Sequence, residues 1–308
     1  MRRKWDRASL ARLEAEYHAA GDARDVSREL AALEAITSAH PNVSWAWYDL
    51  GLRMKWLRQW ERSRDANLRA LELIDDTRES PEAWNLGIAA TALGEWATAR
   101  RAWIAFGIAL PDGPEDEPIL GDFGATPVRL NPAPRFAEPQ LLIDGDEHST
   151  EVVWARRLCP ARAQIINVPL PDSGHRYGDV VLHDGDPVGT RRAGDSVRSV
   201  FNEIALMARG PFETLTTTIN ATPALDTDSL QELFIEHDFA LEPWSGSVRV
   251  LCKACSEGSP SGPHDHPPGP ATDTLRLGIA APRVAAEALL DPWLAARGLE
   301  RGPVAVAQ

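Results

Sequence analysis

Four side chains in one short segment have the types and the spacing of a metal site. Cys252 and Cys255 are separated by two residues, and His264 and His266 follow in the pattern C-x2-C-x8-H-x-H. Zn²⁺ takes four sulfur and nitrogen donors in a tetrahedron, and a cysteine pair at this spacing supplies two of them from one turn. The residues between are rich in Ser, Gly and Pro, so the chain can fold back and bring the imidazoles opposite the thiolates. Four protein ligands close such a site, which makes the expected zinc structural and not catalytic. Two other readings stay open. A redox dithiol needs its second cysteine to open a helix whose N-terminus lowers the thiol pKa, and the Pro/Gly-rich run from 256 to 263 cannot be that helix. A cysteine pair that merely ends a strand beside a loop is the third, and H-x-H is tighter than the usual H-x3-5-H of zinc sites.

Two further polar groups have chemistry in reach. Asp144, Asp146, Glu147 and His148 form an acidic run, and His175, Asp179, His183 and Asp184 gather around a turn. A metal-dependent enzyme activates water with such residues, and this is the alternative reading of the chain. Turns collect Asp and Gly for conformational reasons alone. No phosphate-binding loop, dinucleotide fingerprint, H-E-x-x-H or G-x-S-x-G signature occurs. His237 reads as a helix residue and Cys159 as a small packed side chain.

The elements that must position these residues have strand character. Stretches 151–158, 164–170, 178–183, 187–192 and 197–207 alternate or run apolar between turn residues, with Asp184-Gly185 as a hairpin signal. They predict a small barrel or a curved sheet over 150–207. Beyond it, a strand at 212–220, a helix at 226–240, strands at 247–254 and 274–280, a helix at 282–297 and a last strand at 304–307 give the order β-α-β-β-α-β. That is the ferredoxin-like split βαβ order, expected over 211–308. Seven prolines among residues 111–140 forbid a regular helix there and predict a semi-extended linker. The fold class is therefore α+β: a helical array at 1–110, a linker at 111–140 and an acidic β-rich region at 141–308.

The first third repeats itself. Leu50-Gly51 and Leu86-Gly87 lie 36 residues apart, as do Trp60 and Trp96, and Ser63 and Ala99. Segments 44–57, 61–74, 82–93 and 97–109 place apolar residues at i, i+3 and i+4, the pattern of helices with one buried face. Glycine at 51 and 87 lets two helices of a hairpin approach closely. These positions, with Ala70, Trp47, Gly94 and Pro111, resemble the tetratricopeptide repeat family, a helix–turn–helix unit of about 34 residues. Residues 6–41 read as a degenerate first unit without the Leu-Gly pair. The remainder resembles the β-rich C-terminal region of bacterial repeat proteins, a likeness that carries no activity with it. The repeat resemblance implies a scaffold that takes a protein or peptide in a groove. Most of the tryptophans fall at packing positions, whereas Trp45, Trp56 and Trp103 lie outside the strongest consensus and are the candidates for the partner-binding face.

Composition narrows the partners. The chain of 308 residues has 32 Lys+Arg against 45 Asp+Glu, a net charge of −13. Residues 1–110 hold 16 of each sign, so the acidic excess belongs entirely to the rest. Such a balance argues against nucleic acid and against anionic membranes as partners. The N-terminus has no apolar core of a secretory signal, the longest apolar run is too short for a membrane helix, and three cysteines make no disulfide framework. A cytoplasmic, largely non-catalytic interaction protein is the expectation. Arginine outnumbers lysine 29 to 3, a bias of GC-rich bacterial genomes.

Overall fold

The computed structural model describes residues 2–132, 148–193, 196–222, 224–244 and 274–307. The chain divides into two compact units, one drawn mainly from Met1–Gly121 and the other from Asp122 onward.

The first unit is six consecutive helices: α1 (Arg2–Asp22), α2 (Val26–Ala39), α3 (Ser44–Trp56), α4 (Trp60–Glu72), α5 (Pro81–Leu93) and α6 (Trp96–Phe106). Each packs on its neighbours in sequence, and α3 also meets α5. They form three hairpins with one shared turn. Arg24, Arg58 and Gly94 take left-handed φ values of 56°, 55° and 70°. The next residue of each turn donates its N–H five residues back: Asp25 to Ala20, Gln59 to Met54 and Glu95 to Ala90, all at 2.9 Å. This closes the orphan carbonyls of the preceding helix. The turns are 34 and then 36 residues apart, so the degenerate first unit belongs to the same series.

The buried faces repeat with the turns. On α4 they are Ser63, Ala66 and Asn67, and on α6 Ala99, Ala102 and Trp103. The two glycines act as expected. A Cβ on Gly51 would lie 2.3 Å from Asn67 Nδ2, and one on Gly87 would lie 2.6 Å from the Trp103 ring. Asn67 and Trp103 therefore occupy the same place in successive hairpins, over a backbone that only glycine brings close enough. Ser80 caps α5 by accepting the Ala83 N–H at 3.2 Å, with Pro81 in the first turn.

The second unit holds a closed barrel of β1 (Ala125–Leu130), β2 (Glu151–Arg157), β3 (Arg162–Ile165), β4 (Val180–Ala193) and β5 (Ser196–Ala208). Successive strands pair antiparallel, and β1 closes on β5 in parallel. An up-and-down run of five strands leaves first and last pointing the same way, so closure has to be parallel. Val128, Leu130, Val153, Ala155, Ala163, Ile165 and Val181 fill the interior.

Two expectations are corrected. Residues 125–130, inside the stretch read as linker, form β1. Pro127 is tolerated because pairing with β5 begins only at Val128 opposite Phe201, so its missing N–H leaves no gap there. Asp184-Gly185 is not a hairpin turn. β4 runs through it to Ala193, opposite Ser196, with register shifts at 182/183, 183/187 and 187/189. Asp184 Oδ1 accepts the Gly185 N–H at 2.8 Å, which stabilises a bulge in place of a turn.

The last part is β6 (Thr214–Ile219), α7 (Asp228–Ile235), β7 (Ala240–Pro243), β8 (Leu275–Ala280), α8 (Arg283–Ala295) and β9 (Ala305–Val306). The sheet order is β7-β8-β6-β9, all antiparallel, as the ferredoxin-like order requires. Leu215, Ile219, Leu230, Phe234, Leu277, Ile279 and Leu290 are among its core. The strand expected at 247–254 lies outside the described residues. The place after α7 is taken by Ala240–Pro243, four residues too short and too acidic to read as a strand alone.

Candidate functional site

Two places in the described structure gather side chains with chemistry. The first is one end of the barrel. A single 3-10 turn, Pro171–Ser173, ends at Gly174 (φ 70°), where a Cβ would lie 2.6 Å from the His148 ring. This tight turn delivers His175 into the interior. His175 Nε2 is 3.1 Å from Glu203 Oε2 on β5, and its Nδ1 is 3.4 Å from Asp179 Oδ2, all three side chains fully buried. Asp179 also accepts the Gly210 N–H at 2.6 Å, the Arg176 N–H at 3.0 Å and Arg209 Nη1 at 3.0 Å. Glu203 Oε2 further accepts the Asn131 N–H at 3.0 Å. Gly210 is required here, since a Cβ on it would lie 2.0 Å from the Tyr177 carbonyl.

The electrostatics follow from these contacts. Burial pushes the His175 pKa down, but the Glu203 charge and the hydrogen bonds to Asp179 and Glu203 outweigh it and raise it to about 9. Burial pushes Asp179 up, and its hydrogen bonds from His175, Gly210 and Arg176, with the Arg209 charge, bring it below the usual carboxylate range. His175 is thus an imidazolium at neutral pH with a carboxylate on each nitrogen. Its Nε2 donates to Glu203 and its Nδ1 faces Asp179 at ion-pair distance, the arrangement of an ionic clasp.

His183 is the opposite case. Its Nδ1 donates to the Asp184 carbonyl at 2.7 Å, which leaves the lone pair on Nε2. Burial lowers its pKa to about 4, so the ring is neutral. It stacks near Phe201, with ring centroids 5.4 Å apart, and stands opposite Glu203 in the β4–β5 register. It is 1% exposed. Of the residues expected around the turn, His175, Asp179, His183 and Asp184 are all buried. The structure sets His175 between Asp179 and Glu203, places His183 opposite Glu203 in the strand register, and leaves Asp184 to the bulge. Among the described residues, no three His, Cys, Asp or Glu side chains are grouped so as to hold a metal ion. Cys252, Cys255, His264 and His266, and the acidic residues Asp144, Asp146 and Glu147, lie outside the described residues.

Sequence reasoning missed Glu203, Arg209, Glu151 and Glu242. Glu203 had a signal: it is an acid on the interior alternation of an apolar strand, and that position needs a cation. Glu151 Oε2 accepts the Leu170 N–H at 2.9 Å and Glu242 Oε2 the Val168 N–H at 3.1 Å. Burial raises both carboxyls, Glu151 to about 7.

The second place is one stripe of α3. Trp45, Asp49, Leu52 and Trp56 follow one another at i, i+4, i+7 and i+11, one stripe of a helix, and all four are half-buried. The Tyr17 hydroxyl donates to Asp49 Oδ2 at 2.9 Å, and its ring lies 5.8 Å from that of Trp45. Burial, then the Asp49 charge and hydrogen bond, push the Tyr17 pKa to about 12, and burial raises that of Asp49. At the other end of the stripe the Lys55 ammonium lies 4.4 Å from the Trp56 ring centroid and donates to Asn85 Oδ1 at 3.0 Å. Trp103 is elsewhere. It is fully buried over Gly87, 5.1 Å from Trp84 in an edge-to-face pair, and presents no surface to a partner. Of the three candidate tryptophans, Trp45 and Trp56 share a face and Trp103 is array packing.

In comparison with known proteins, no family model and no curated relative matches the chain. Among the described residues, no helix is long and apolar enough to cross a membrane.

Proposed function

We propose that this chain is a non-catalytic interaction protein whose first unit is a tetratricopeptide-like array that takes a protein or peptide partner against α3. The observation that carries the reading is the half-buried stripe Trp45–Asp49–Leu52–Trp56 on a hairpin array with a recurring turn. Partly exposed large aromatics are the residues that anchor partners. We place the protein in the cytoplasm, with no nucleic acid or membrane as partner, on the strength of its charge and composition. Partner capture from native lysate, with the chain compared against Trp45→Ala/Trp56→Ala, tests the reading. Loss of specific partners in the double variant supports it, and an unchanged partner set in both samples refutes it.

The same reading assigns a structural zinc to Cys252, Cys255, His264 and His266. What supports it is the donor chemistry and the spacing of the four residues. Elemental analysis of untagged protein tests it, with about one zinc per chain expected and a content near zero against it. The second reading is a metal-dependent enzyme in the β-rich region, supported by the buried contacts of His175 with Asp179 and Glu203, although no three such side chains among the described residues are arranged to hold a metal ion. It ranks below the first because His175 has both nitrogens committed to carboxylates.

A further inference from the structure

Within the second unit a short strap, residues 166–170, ties the barrel to the four-stranded sheet. On the barrel side the Ile166 N–H donates to the Trp154 carbonyl at 2.9 Å, and Asn167 Oδ1 accepts the Trp154 N–H at 2.5 Å. On the sheet side the Trp244 indole donates to the Val168 carbonyl at 3.0 Å, and Val168 packs with Ala240, Trp244 and Ala280. Trp244 itself lies so close on β8 that a Cβ on Gly278 would be 2.2 Å from its ring.

Two carboxyl groups close this strap. Val168, Pro169 and Leu170 have two backbone N–H groups between them, since proline has none. Glu242 Oε2, from β7 of the sheet, accepts the Val168 N–H at 3.1 Å and Asn167 Nδ2 at 2.9 Å. Glu151 Oε2, from β2 of the barrel, accepts the Leu170 N–H at 2.9 Å. Both N–H groups therefore end on acids, one from each side of the joint, and Glu242 acts on Glu151 as a like charge. The neighbouring cations have other contacts as well. His175 lies between Asp179 and Glu203, Arg191 donates to the Val152 carbonyl at 3.1 Å, and Arg276 on β8 lies 4.9 Å from the Trp244 ring centroid. Burial raises the Glu151 carboxyl and the Glu242 charge adds to it, against the Leu170 bond, His175 and Arg191. Burial raises Glu242 against its bonds from Asn167 and Val168.

We propose that the strap is a proton-operated latch between the barrel and the sheet, closed while Glu151 is a neutral carboxyl and loosened when Glu151 and Glu242 are both ionised. A neutral carboxyl keeps its carbonyl oxygen for the Leu170 N–H, so protonation removes the repulsion and leaves the hydrogen bond. When the strap opens, the proton passes to solvent and both carboxylates regain water, which removes the cost of holding two buried like charges. A carboxyl whose pKa is raised in the closed form and ordinary in the open form favours closure at low pH. That preference falls as pH climbs from the open-form value to the closed-form value and is level above it. The latch lies in the β-rich unit and does not rest on the partner reading of the array.

Hydrogen exchange of the full chain, read by NMR at single amides and corrected for the intrinsic exchange rate, tests the latch. Protection of the Val168 and Leu170 amides should fall about tenfold or more between pH 5 and pH 7 and level off above. Glu151→Gln/Glu242→Gln keeps both side-chain acceptors and removes both charges, and its strap protection should stay level over the same range. Ile165, whose N–H donates to the Asp179 carbonyl at 2.9 Å, reports opening of the barrel itself. At pH 7 it should be protected more strongly than the two strap amides. Level protection in the wild-type chain from pH 5 to 7 would overturn the latch without recourse to any variant. So would the same fall in the double variant, or strap amides protected as strongly as Ile165 at pH 7, because the strap would then open only with the barrel.

Discussion

The ionic clasp at the barrel end makes a pH-dependent contribution to stability whose sign and size can be worked out. Replacing His175 by Gln removes the imidazolium and leaves Asp179 and Glu203 facing a neutral amide. In the wild-type chain the folded pKa of His175 is raised to about 9, against about 6.5 in an unfolded chain. A raised basic group stabilises the fold fully below the unfolded pKa, and that contribution is lost as pH rises through the folded value. Between about pH 6.5 and pH 9 the wild-type chain should therefore lose about 3 kcal/mol that comes from this one residue, at 1.36 kcal/mol per pH unit. The variant has no such group. Its deficit relative to wild type should be greatest near pH 6, about 3–5 kcal/mol for breaking a buried ionic pair, and should shrink steadily towards pH 10. Urea unfolding of both chains from pH 6 to 10, with the difference plotted against pH, gives the result. Because other titrations are common to both chains, the difference isolates His175. A difference that stays flat from pH 6 to 10 would refute the reasoning, because it would mean that the histidine is neutral in the fold.

Other outcomes follow from the same geometry. Burial raises the Glu151 carboxyl to about 7, so its ionisation opposes folding as pH climbs from about 4.5 to 7. Glu151→Gln should then stabilise the chain at pH 8 by up to about 3 kcal/mol and change little at pH 4, as read by denaturant midpoints. Gly87→Ala forces a Cβ to within 2.6 Å of the Trp103 ring and should destabilise the array by about 1–3 kcal/mol, with part of the loss recovered by Trp103→Leu. Stability unchanged in Gly87→Ala would mean that the hairpin closes differently. Arg58 holds φ 55°, and Arg58→Gly should raise the array's thermal midpoint by the relief of about 1 kcal/mol of left-handed strain, where a lowered midpoint would count against the shared turn.

The array was legible because its signals are local. Leu-Gly at 50–51 and 86–87 and the tryptophans at 60 and 96 report packing within one hairpin and its neighbour. The first hairpin was harder to read, since its likeness to the other two lies in a backbone turn at Arg24 and in no side-chain motif. The ferredoxin-like order was readable in part: the strands near 214 and 275 and both helices stood out by their patterns, whereas the strand after α7, Ala240–Pro243, did not, and the one expected at 247–254 lies outside the described residues. The barrel hid its first strand behind prolines that normally exclude one, and only the offset of the β5 pairing makes Pro127 acceptable. Asp184-Gly185 has the composition of a turn, and the choice between turn and bulge was decided by β5 across the barrel, which no local pattern shows. The barrel-end site was half visible: His175 and Asp179 stood out by type. Their counterpart Glu203 comes from β5, 28 residues beyond His175. In the array, Trp56 and Trp103 look alike in sequence. What separates them is Gly87, which draws Trp103 into the core.

The central claim, that a partner sits against α3, is tested most directly by site-specific photocrosslinking. A photoreactive residue at position 56 on the stripe is compared with one at Ile104, which is 62% exposed on α6. The account predicts a discrete crosslinked partner from position 56 and none from position 104. The same yield from both positions, or a partner trapped only at 104, would contradict it.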